Sequence, residues 1–215
     1  MAAWGYPDAL EVVLGQLVNL LRDGEPVRMS KRTGEMVTFQ ELIDEVGVDA
    51  TRYLMLSKSA DQAIDFDIEV AKKQDSSNPV YYVQYAHARI CSILRKAGEA
   101  RGVNVESAGI EEIVAELGLD DIDLAPLAHE SELALMRKMA DFSDLVAGAA
   151  RDRAPFRLTH YAQELAGLFH SFYGNCHVLG EEECVEKARL ALVDSTRIVL
   201  ALSLDLLGVS APERM

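Results

Sequence analysis

The sequence predicts a mainly α-helical protein in which a helical bundle follows a shorter α/β segment. The stretch from Leu10 to Leu21 is rich in β-formers and precedes the hairpin dipeptide Asp23-Gly24. From Asn78 onward, apolar residues recur with the 3.6-residue period of an α-helix. The 215 residues are 49% hydrophobic and include only 14 Gly and 6 Pro, which is typical of a packed globular core. We therefore assign residues 1–72 to the α/β segment and residues 73–215 to the helical bundle.

Capping signals predict the helices of the first segment. Thr38 and Glu41 match a capping box, in which each side chain bonds the backbone N–H of the other residue, so a helix is expected to begin there and to end at Gly47. Asp49 is a candidate N-cap of a second helix. The stretch Ser59 to Asp67 is predicted to be an irregular or extended connection, and its carboxylates Asp65 and Asp67 are interpreted as turn and cap residues.

The second segment is predicted to be helical almost throughout. Asn78 and Pro79 form an N-cap and first-turn pair, because proline in the first turn loses no needed donor. The helix that follows places Tyr81, Tyr85 and Arg89 on one face, at i, i+4 and i+8. Further helices are predicted at about 110–117, 130–150, 158–178 and 183–207, with the last ending at Gly208.

The negative charge of the chain is concentrated in one stretch. The formal net charge is −14, and residues 101–135 contain one basic and nine acidic side chains. Such a chain is unlike a protein with a diffuse basic coat for DNA or RNA, and no DNA partner is predicted. The acidic stretch is interpreted as a solvated surface, which leaves a focused basic site possible elsewhere.

Several other classes of protein and of site are disfavoured by composition. The most apolar stretch, Leu190 to Val209, contains three charged residues, so no membrane span is predicted. No basic residue precedes Arg22, which disfavours a signal peptide. The three cysteines form no CxxC pair, so they are predicted to be reduced, and no metal site is expected. We expect a cytoplasmic protein.

The segment Arg28-Met29-Ser30-Lys31-Arg32 is the sharpest local signal, with three cations in five residues. Cations on a loop can neutralise the charge that develops on a departing pyrophosphate. Composition alone favours an ordinary basic surface loop, because no GxxxxGK[ST] phosphate cradle accompanies it.

This pentapeptide resembles the KMSKS signature of class I aminoacyl-tRNA synthetases, and three longer strings resemble arginyl-tRNA synthetases. They are LVNLLRDGEPVRMSKRTGEMVTFQELIDEVGVDATRYLML, NPVYYVQYAHARICSIL and KARLALVDSTRIVLALSLDLLGVSAPERM. The resemblance implies that residues 1–72 end a Rossmann catalytic domain with its connecting region. It also implies that residues 73–215 form a helical anticodon-binding domain of the DALR type.

For the intact enzyme, the resemblance implies ATP-dependent activation of arginine, with Mg, and transfer of arginine to its tRNA. Lys31 would contact the phosphates in the transition state, Ser30 and Arg28 would support it, and the whole segment Arg28, Met29, Ser30, Lys31 and Arg32 would bind ATP. Arg28 and Arg32 replace Lys and Ser of the signature, which changes a point charge to a planar fork at the first position. The HIGH signature has no counterpart here, so this chain resembles a C-terminal fragment that is inactive alone and binds no cofactor.

The resemblance also suggests where tRNA would bind. Tyr173 and His177 lie at i and i+4 and would share a helix face towards the anticodon loop, and Met215 at the chain end would approach the same loop. Arg151, Arg153 and Arg157 are candidates for contacts with the RNA backbone, because phosphate binding needs charge but little geometry. Ordinary packing remains the alternative for Tyr173, for His177 and for the tyrosines that follow Pro79. His129, His160 and His170 are interpreted as structural.

Two other interpretations remain open from the sequence. A cysteinyl-tRNA synthetase shares the KMSKS loop and this kind of helical domain, although the NPVYYVQYAHAR string and the APERM end favour the arginyl enzyme. A non-catalytic helical interaction module that has kept a synthetase-like core is the alternative from a different functional class.

Overall fold

A computed structural model describes residues 12–27 and 37–215 of the chain. The predicted phosphate-contacting segment, from Arg28 to Arg32, lies outside the described residues, as does the start of the predicted β-rich stretch. The described residues form a small sheet with flanking short helices, followed by a bundle of longer helices. The predicted fold class, mainly α with a small α/β segment before a helical bundle, is confirmed.

Three strands make up the sheet: β1 (Val18–Arg22), β2 (Glu25–Pro26) and β3 (Ile64–Asp67). Their order is β2-β1-β3, with β1 antiparallel to β2 and parallel to β3. The hairpin prediction is confirmed, because Asp23 and Gly24 adopt φ angles of 52° and 80°, as a tight turn with two left-handed residues requires. The first strand is shorter than the β-rich pattern predicts, because it begins only at Val18.

Helices α1 (Phe39–Val46), α2 (Val48–Met55) and α3 (Ile68–Lys72) flank the sheet. The capping box of α1 is present, since Thr38 Oγ1 accepts from Glu41 N–H and Glu41 accepts from Thr38 N–H at 2.7 Å. Asp67 caps α3 as predicted. The N-cap prediction for Asp49 is wrong: Gly47, with a φ of 86°, precedes α2, and Asp49 lies inside its first turn. Its carboxylate instead accepts hydrogen bonds from the C-terminal tail.

An exposed ion-pair cluster joins the sheet to α1 and α3. Arg22 in β1 bonds Glu45 at 2.8 Å and Glu69 at 2.5 Å, and Lys72 reaches the same two carboxylates. Hydrogen bonds from Arg22 and Lys72 lower the pKa of Glu45 to about 2. Because all four side chains remain in contact with water, the cluster orients these elements more than it stabilises them.

Six further helices complete the described chain: α4 (Pro79–Ala100), α5 (Ile110–Leu117), α6 (Glu130–Ala140), α7 (Phe142–Asp152), α8 (Phe156–Asn175) and α9 (Glu183–Leu207). The Asn78-Pro79 start of α4 and the left-handed Gly208 end of α9 are confirmed. The helix predicted over 130–150 is two helices, which meet at Asp141. Phe142, the first residue after the break, packs its ring 5.3 Å from that of Tyr161 in α8, a contact that periodicity does not reveal.

The core of the bundle lies where α4, α8 and α9 meet. These helices contribute large side chains that are less than 2% exposed: Ile90, Leu94, Tyr161, Leu165, Phe169, Phe172 and Leu190. Buried charge is paired, since Arg197 of α9 bonds Asp194 at 2.7 Å and Glu111 at 2.9 Å. The bundle therefore has a contiguous apolar centre with its ionic groups at the edge.

Direct hydrogen bonds connect the α/β segment to the bundle. The hydroxyl of Tyr53 in α2 is fully buried and donates to the Thr159 carbonyl of α8 at 2.7 Å. Arg52 Nε donates to the Leu207 carbonyl at the end of α9 at 3.0 Å. Asn78 caps α4 while its amide donates to the carbonyls of Ala71 and Lys73, both at 2.9 Å. The boundary at residue 72 stays a prediction.

The residues after α9 turn back and run along α4. Gly208, with a φ of 66°, ends the helix, and Val209 N–H bonds the Leu204 carbonyl at 2.9 Å. Residues 210–213 then contact α4, where His87 Nδ1 donates to the Pro212 carbonyl at 2.9 Å. The C-terminal residue is thereby brought next to the middle of α4.

Residues 12–27 and 37–215 contain no helix whose length and hydrophobicity would suffice to cross a lipid bilayer.

Replacing Tyr53 by Phe tests the connection between α2 and the bundle. The variant Tyr53→Phe loses a buried hydrogen bond at constant ring volume, so we expect the free energy of unfolding to fall by about 1–2 kcal/mol. Chemical denaturation with wild type and Tyr81→Phe as the matched control measures this. The Tyr81 variant should stay within about 0.5 kcal/mol of wild type. Equal losses in the two variants would contradict the structural role given to Tyr53.

Acidification should destabilise the chain through His87. Burial is the main cause that lowers the pKa of His87 below 6.5. The charges of Arg197 and Arg95 lower this pKa further, whereas the hydrogen bond to the Pro212 carbonyl and the charge of Glu213 raise it. The imidazole of His87 therefore binds a proton more tightly in the unfolded chain than in the folded one. As a result, the free energy of unfolding has its full value above about pH 6.5 and declines as the pH falls towards the pKa of the folded state.

We expect the unfolding free energy to drop between about pH 7.5 and pH 5.5, and the variant His87→Gln to show a smaller drop. Denaturant titrations at both pH values measure this difference. An unchanged pH dependence in His87→Gln would show that other groups control the acid sensitivity.

Candidate nucleic-acid interface

A groove of about 720 Å³ lies between the exposed face of α4, the C-terminal tail and the end of α8. It is lined by Tyr85, Ala88, Arg89, Ser92, Ile93, Arg95, Lys96, Glu99, Val105, Glu106, Tyr173, Glu213, Arg214 and Met215. The α4 members recur every three or four residues, so one face of this helix supplies most of the floor. Aromatic, cationic and acidic groups therefore share one surface concavity.

The end of the groove nearest α8 combines a planar cation with two tyrosine rings. The guanidinium carbon of Arg89 lies 4.5 Å from the ring centroid of Tyr173 and 5.9 Å from that of Tyr85. Arg89 Nη1 also donates to the Tyr85 hydroxyl at 3.2 Å, which fixes the plane of the guanidinium. Tyr173 remains 36% exposed and Tyr85 38% exposed. Flat and partly open surfaces of this kind can stack on unpaired nucleobases.

Further basic and acidic groups lie along the same groove. Lys96 and Arg214 are exposed, whereas Arg95 is held by the backbone carbonyl and the carboxylate of Glu213. Glu99 and Glu106 also line the groove. Cationic and acidic side chains are thus mixed in the groove, so an anionic ligand would be bound in a restricted register rather than along its full length.

A second cavity, of about 460 Å³, adjoins the groove and shares Tyr85 with it. Tyr81 stacks on Tyr85 with ring centroids 6.1 Å apart, and Tyr82 packs 5.0 Å from the ring of His170. Burial, with a smaller effect of Arg89, lowers the pKa of His170. All three tyrosines therefore line the second cavity, and Tyr85 alone of the three also lines the groove.

The predicted RNA-contact residues fall into separate places. Tyr173 and Met215 line one groove, and their contact with the anticodon loop stays a prediction. The expectation that His177 shares a helix face with Tyr173 is wrong, because α8 ends at Asn175 and Cys176 is extended and buried. His177 is exposed beyond the helix, with its backbone carbonyl accepting from Arg189 Nη1 at 2.7 Å.

The three arginines proposed for backbone contacts lie at the opposite end of α8. Arg151 and Arg153 end α7, and Arg157 is in the first turn of α8, where it pairs with Asp152 at 2.7 Å. Sixteen residues of helix separate Arg157 from Tyr173, a distance of about 24 Å along the axis. These arginines would therefore form a second contact region, remote from the groove.

Sequence reasoning missed Lys96 and Arg95 as groove residues. Arg89, Ser92 and Lys96 follow one another at helical spacing on α4, so the pattern that identified Tyr81, Tyr85 and Arg89 could have been extended by two turns. Arg95 had no such signal, because its importance depends on Glu213, 118 residues later. No group of three or more potential metal ligands occurs in the part of the chain that the structure describes.

Known proteins are similar to this chain over its full length. Residues 83–215 match the family model of the DALR anticodon binding domain. The arginine–tRNA ligase of Heliobacterium modesticaldum is 52% identical over 219 residues, which cover 99% of this chain and 37% of the ligase. That of Desulforudis audaxviator is 54% identical over 216 residues, which cover all of this chain and 36% of the ligase.

A solved structure of Thermus thermophilus arginyl-tRNA synthetase aligns with 94% of this chain and 35% of its own, with a TM-score of 0.71 and 29% sequence identity. This chain therefore spans little more than a third of the length of the ligases that it matches. Similarity to these ligases extends over the α/β segment as well as the bundle, and by its match over residues 83–215 the chain belongs to the DALR anticodon binding domain family.

Proposed function

We propose that this chain serves as the anticodon-binding part of an arginine–tRNA ligase and that it holds the anticodon loop of arginine tRNA in the groove on α4. The observation that carries the proposal is the arrangement of Arg89 between Tyr85 and Tyr173. Single-stranded RNA is bound by aromatic rings and guanidinium planes that accept unstacked bases. The similarity to arginine–tRNA ligases over the whole chain supports arginine tRNA as the partner.

The charge distribution supports a focused contact with RNA. The nine acidic side chains of residues 101–135 include Glu106, which lies on the groove wall, and Glu111, which pairs with Arg197. Negative charge beside the cationic side chains of the groove repels RNA that approaches in other orientations. We therefore expect the chain to distinguish tRNAs by the bases in the groove more than by general attraction to phosphate.

For the complete enzyme, we propose ATP-dependent activation of arginine followed by its transfer to tRNA. Lys31 would contact the phosphates of ATP in the transition state, with Ser30 and Arg28 holding the loop and Met29 and Arg32 completing the ATP contact. Mg would accompany ATP as the ion that offsets phosphate charge. The support for these roles is the KMSKS-like segment and the similarity to the ligases. We place the enzyme in the cytoplasm.

A second contact region on the tRNA is proposed at Arg151, Arg153 and Arg157. Its distance from the groove, about 24 Å along α8, suits contact with the phosphate backbone away from the bases that are read. His177 is proposed as an additional contact from the loop after α8, because it is exposed close to the end of that helix.

The proposal predicts that the chain binds transcribed arginine tRNA and that binding depends on the ring of Tyr173. The variant Tyr173→Ala should weaken binding about tenfold, since one base–aromatic stack contributes roughly 1–3 kcal/mol. Tyr173→Phe keeps the ring and should bind within about twofold of wild type. Phe39→Ala removes an exposed aromatic ring of α1 away from the groove, so it is the control for the loss of a surface ring as such. Filter binding or fluorescence anisotropy measures the affinities.

The same measurement with a tRNA altered at the central anticodon base tests the assignment to the anticodon. We expect wild type to bind the altered tRNA more weakly than the unaltered one. The difference in affinity between the two tRNAs should be smaller for Tyr173→Ala. Equal affinity of wild type for both tRNAs, or no binding to either, would contradict the proposal and favour a non-catalytic interaction module.

We also propose that these 215 residues alone do not activate arginine, because they correspond to about 37% of the ligase they resemble. With arginine tRNA present, arginine-dependent exchange between ATP and pyrophosphate should be undetectable for this chain and readily measured for the full-length Heliobacterium modesticaldum ligase. Exchange by this chain that requires arginine and disappears in the variant Lys31→Ala would overturn the proposal, since contamination would not respond to that substitution.

A further inference from the structure

The tail after α9 adds no regular secondary structure, yet polar contacts hold three of its residues, Ser210, Pro212 and Glu213. Gly208 and Val209 end the helix, and Val209 is buried at 5% exposure. Residues 210–213 then run alongside α4 in the same direction as that helix. A short chain terminus without such contacts is normally poorly ordered, so these contacts require a physical explanation.

Ser210 is the first residue of the tail to be held, and it is held from two helices. Its backbone N–H donates to Asp49 Oδ1 of α2 at 3.1 Å, and its hydroxyl donates to the other carboxylate oxygen. Gln84 Nε2 of α4 donates to the Ser210 carbonyl at 2.9 Å and to Asp49 Oδ2 at 2.8 Å. Asp49, Gln84 and Ser210 therefore form a closed set in which each member bonds the other two.

Two further α4 residues hold the tail beyond Ser210. His87 bonds the Pro212 carbonyl at 2.9 Å. Arg95 donates through Nη1 to the Glu213 carbonyl at 2.9 Å and through Nη2 to the Glu213 carboxylate. Three of the groups that accept from α4 are backbone carbonyls, so the path of the tail is fixed more than the identity of its side chains.

The environment of Arg95 indicates that holding the tail is its main role. Its side chain is only 12% exposed, and its Nε is the one buried side-chain nitrogen or oxygen in the described residues without a hydrogen-bond partner. Burial of a guanidinium with an unsatisfied donor is unfavourable unless strong bonds compensate. The compensating bonds at this position are those to Glu213.

We infer that Asp49, Gln84, His87 and Arg95 form a clamp that positions Arg214 and Met215 in the groove for RNA. We use "clamp" for these four residues, and the inference rests on the proposed function of the groove. Met215 is 55% exposed, and it borders both the groove and a further cavity beside the α1–α2 junction. The clamp residues act through the tail, so they are positioning residues.

The position of Met215 in the free protein can be measured without RNA. With ¹³C-labelled methionine methyl groups, the Met215 signal is assigned by the variant Met215→Leu. We expect a dispersed and broadened signal in wild type, a narrow signal at the random-coil position in Arg95→Ala, and an intermediate one in Arg95→Lys, which keeps the charge and part of the bonding. Arg101→Ala is the matched control, because Arg101 is also a partly buried arginine, follows α4 directly and bonds Leu117 and Glu186 instead of the tail.

Glu213→Ala is the second clamp-breaking variant, because it removes only the side-chain bond to Arg95 and leaves the folded bundle intact. If Met215 keeps its wild-type signal in both Arg95→Ala and Glu213→Ala, the clamp does not position the tail and the inference is overturned. If Arg101→Ala releases Met215 as fully as Arg95→Ala does, the effect is general destabilisation, and the inference fails equally.

A double-mutant comparison then links the clamp to RNA. Removal of Arg214 and Met215 should weaken binding of arginine tRNA roughly fivefold to tenfold in wild type and have almost no further effect in Arg95→Ala. Additive losses would show that Arg95 and the tail act independently, which overturns the inference. Absence of tRNA binding by wild type would instead refute the proposed function of the groove, and the methyl signals would still decide whether the clamp holds the tail.

Discussion

Helix α4 must pack against the hydrophobic bundle on one face and carry polar contacts on the other, and the remaining structure is arranged around this requirement. Ile90 and Leu94 are fully buried against α8 and α9. Arg89 and Lys96, one or two positions away, point into the groove. Because successive residues of a helix are rotated by about 100°, a 22-residue helix can serve both purposes without a break. A kink in α4 would disturb the core, the groove and the tail together.

The α/β segment is attached to this helix by bonds that depend on backbone geometry. Asn78 uses its side-chain oxygen to cap α4 and its amide to bond the Ala71 carbonyl of α3 and the Lys73 carbonyl that follows it, so one residue fixes the angle between two helices. Tyr53 and Arg52 bond carbonyls of α8 and α9. Each of these residues thus provides a fixed contact between the segment and the bundle.

Local signals in the sequence were sufficient where the structure is determined by neighbouring residues. The capping box at Thr38 and the turn at Asp23-Gly24 are confirmed because both partners lie within three residues of each other.

Prediction failed where a distant partner decides the outcome. Asp49 has the right chemistry for an N-cap, but the tail, 161 residues later, bonds its carboxylate. The end of α8 before His177 has the same kind of cause, since buried Cys176 leaves the helix to fill a site beside Ser131. The candidate groove was anticipated only at Tyr173 and the chain end, because its walls come from three separate parts of the sequence.

The turn at Gly208 limits how the length of the chain can vary. A side chain there would need a left-handed backbone and would place its Cβ 2.6 Å from the Arg52 guanidinium, which would then have to move away from the Leu207 carbonyl, so glycine is favoured at this position. The connection that follows is equally restrictive. One residue inserted or deleted between Gly208 and Ser210 would slide the tail by about 3.3 Å, and each carbonyl would then lie opposite the wrong donor of α4. Homologous chains that use the same hydrogen-bonding pattern should therefore conserve the number of residues between the end of α9 and the groove, even where the residues themselves differ.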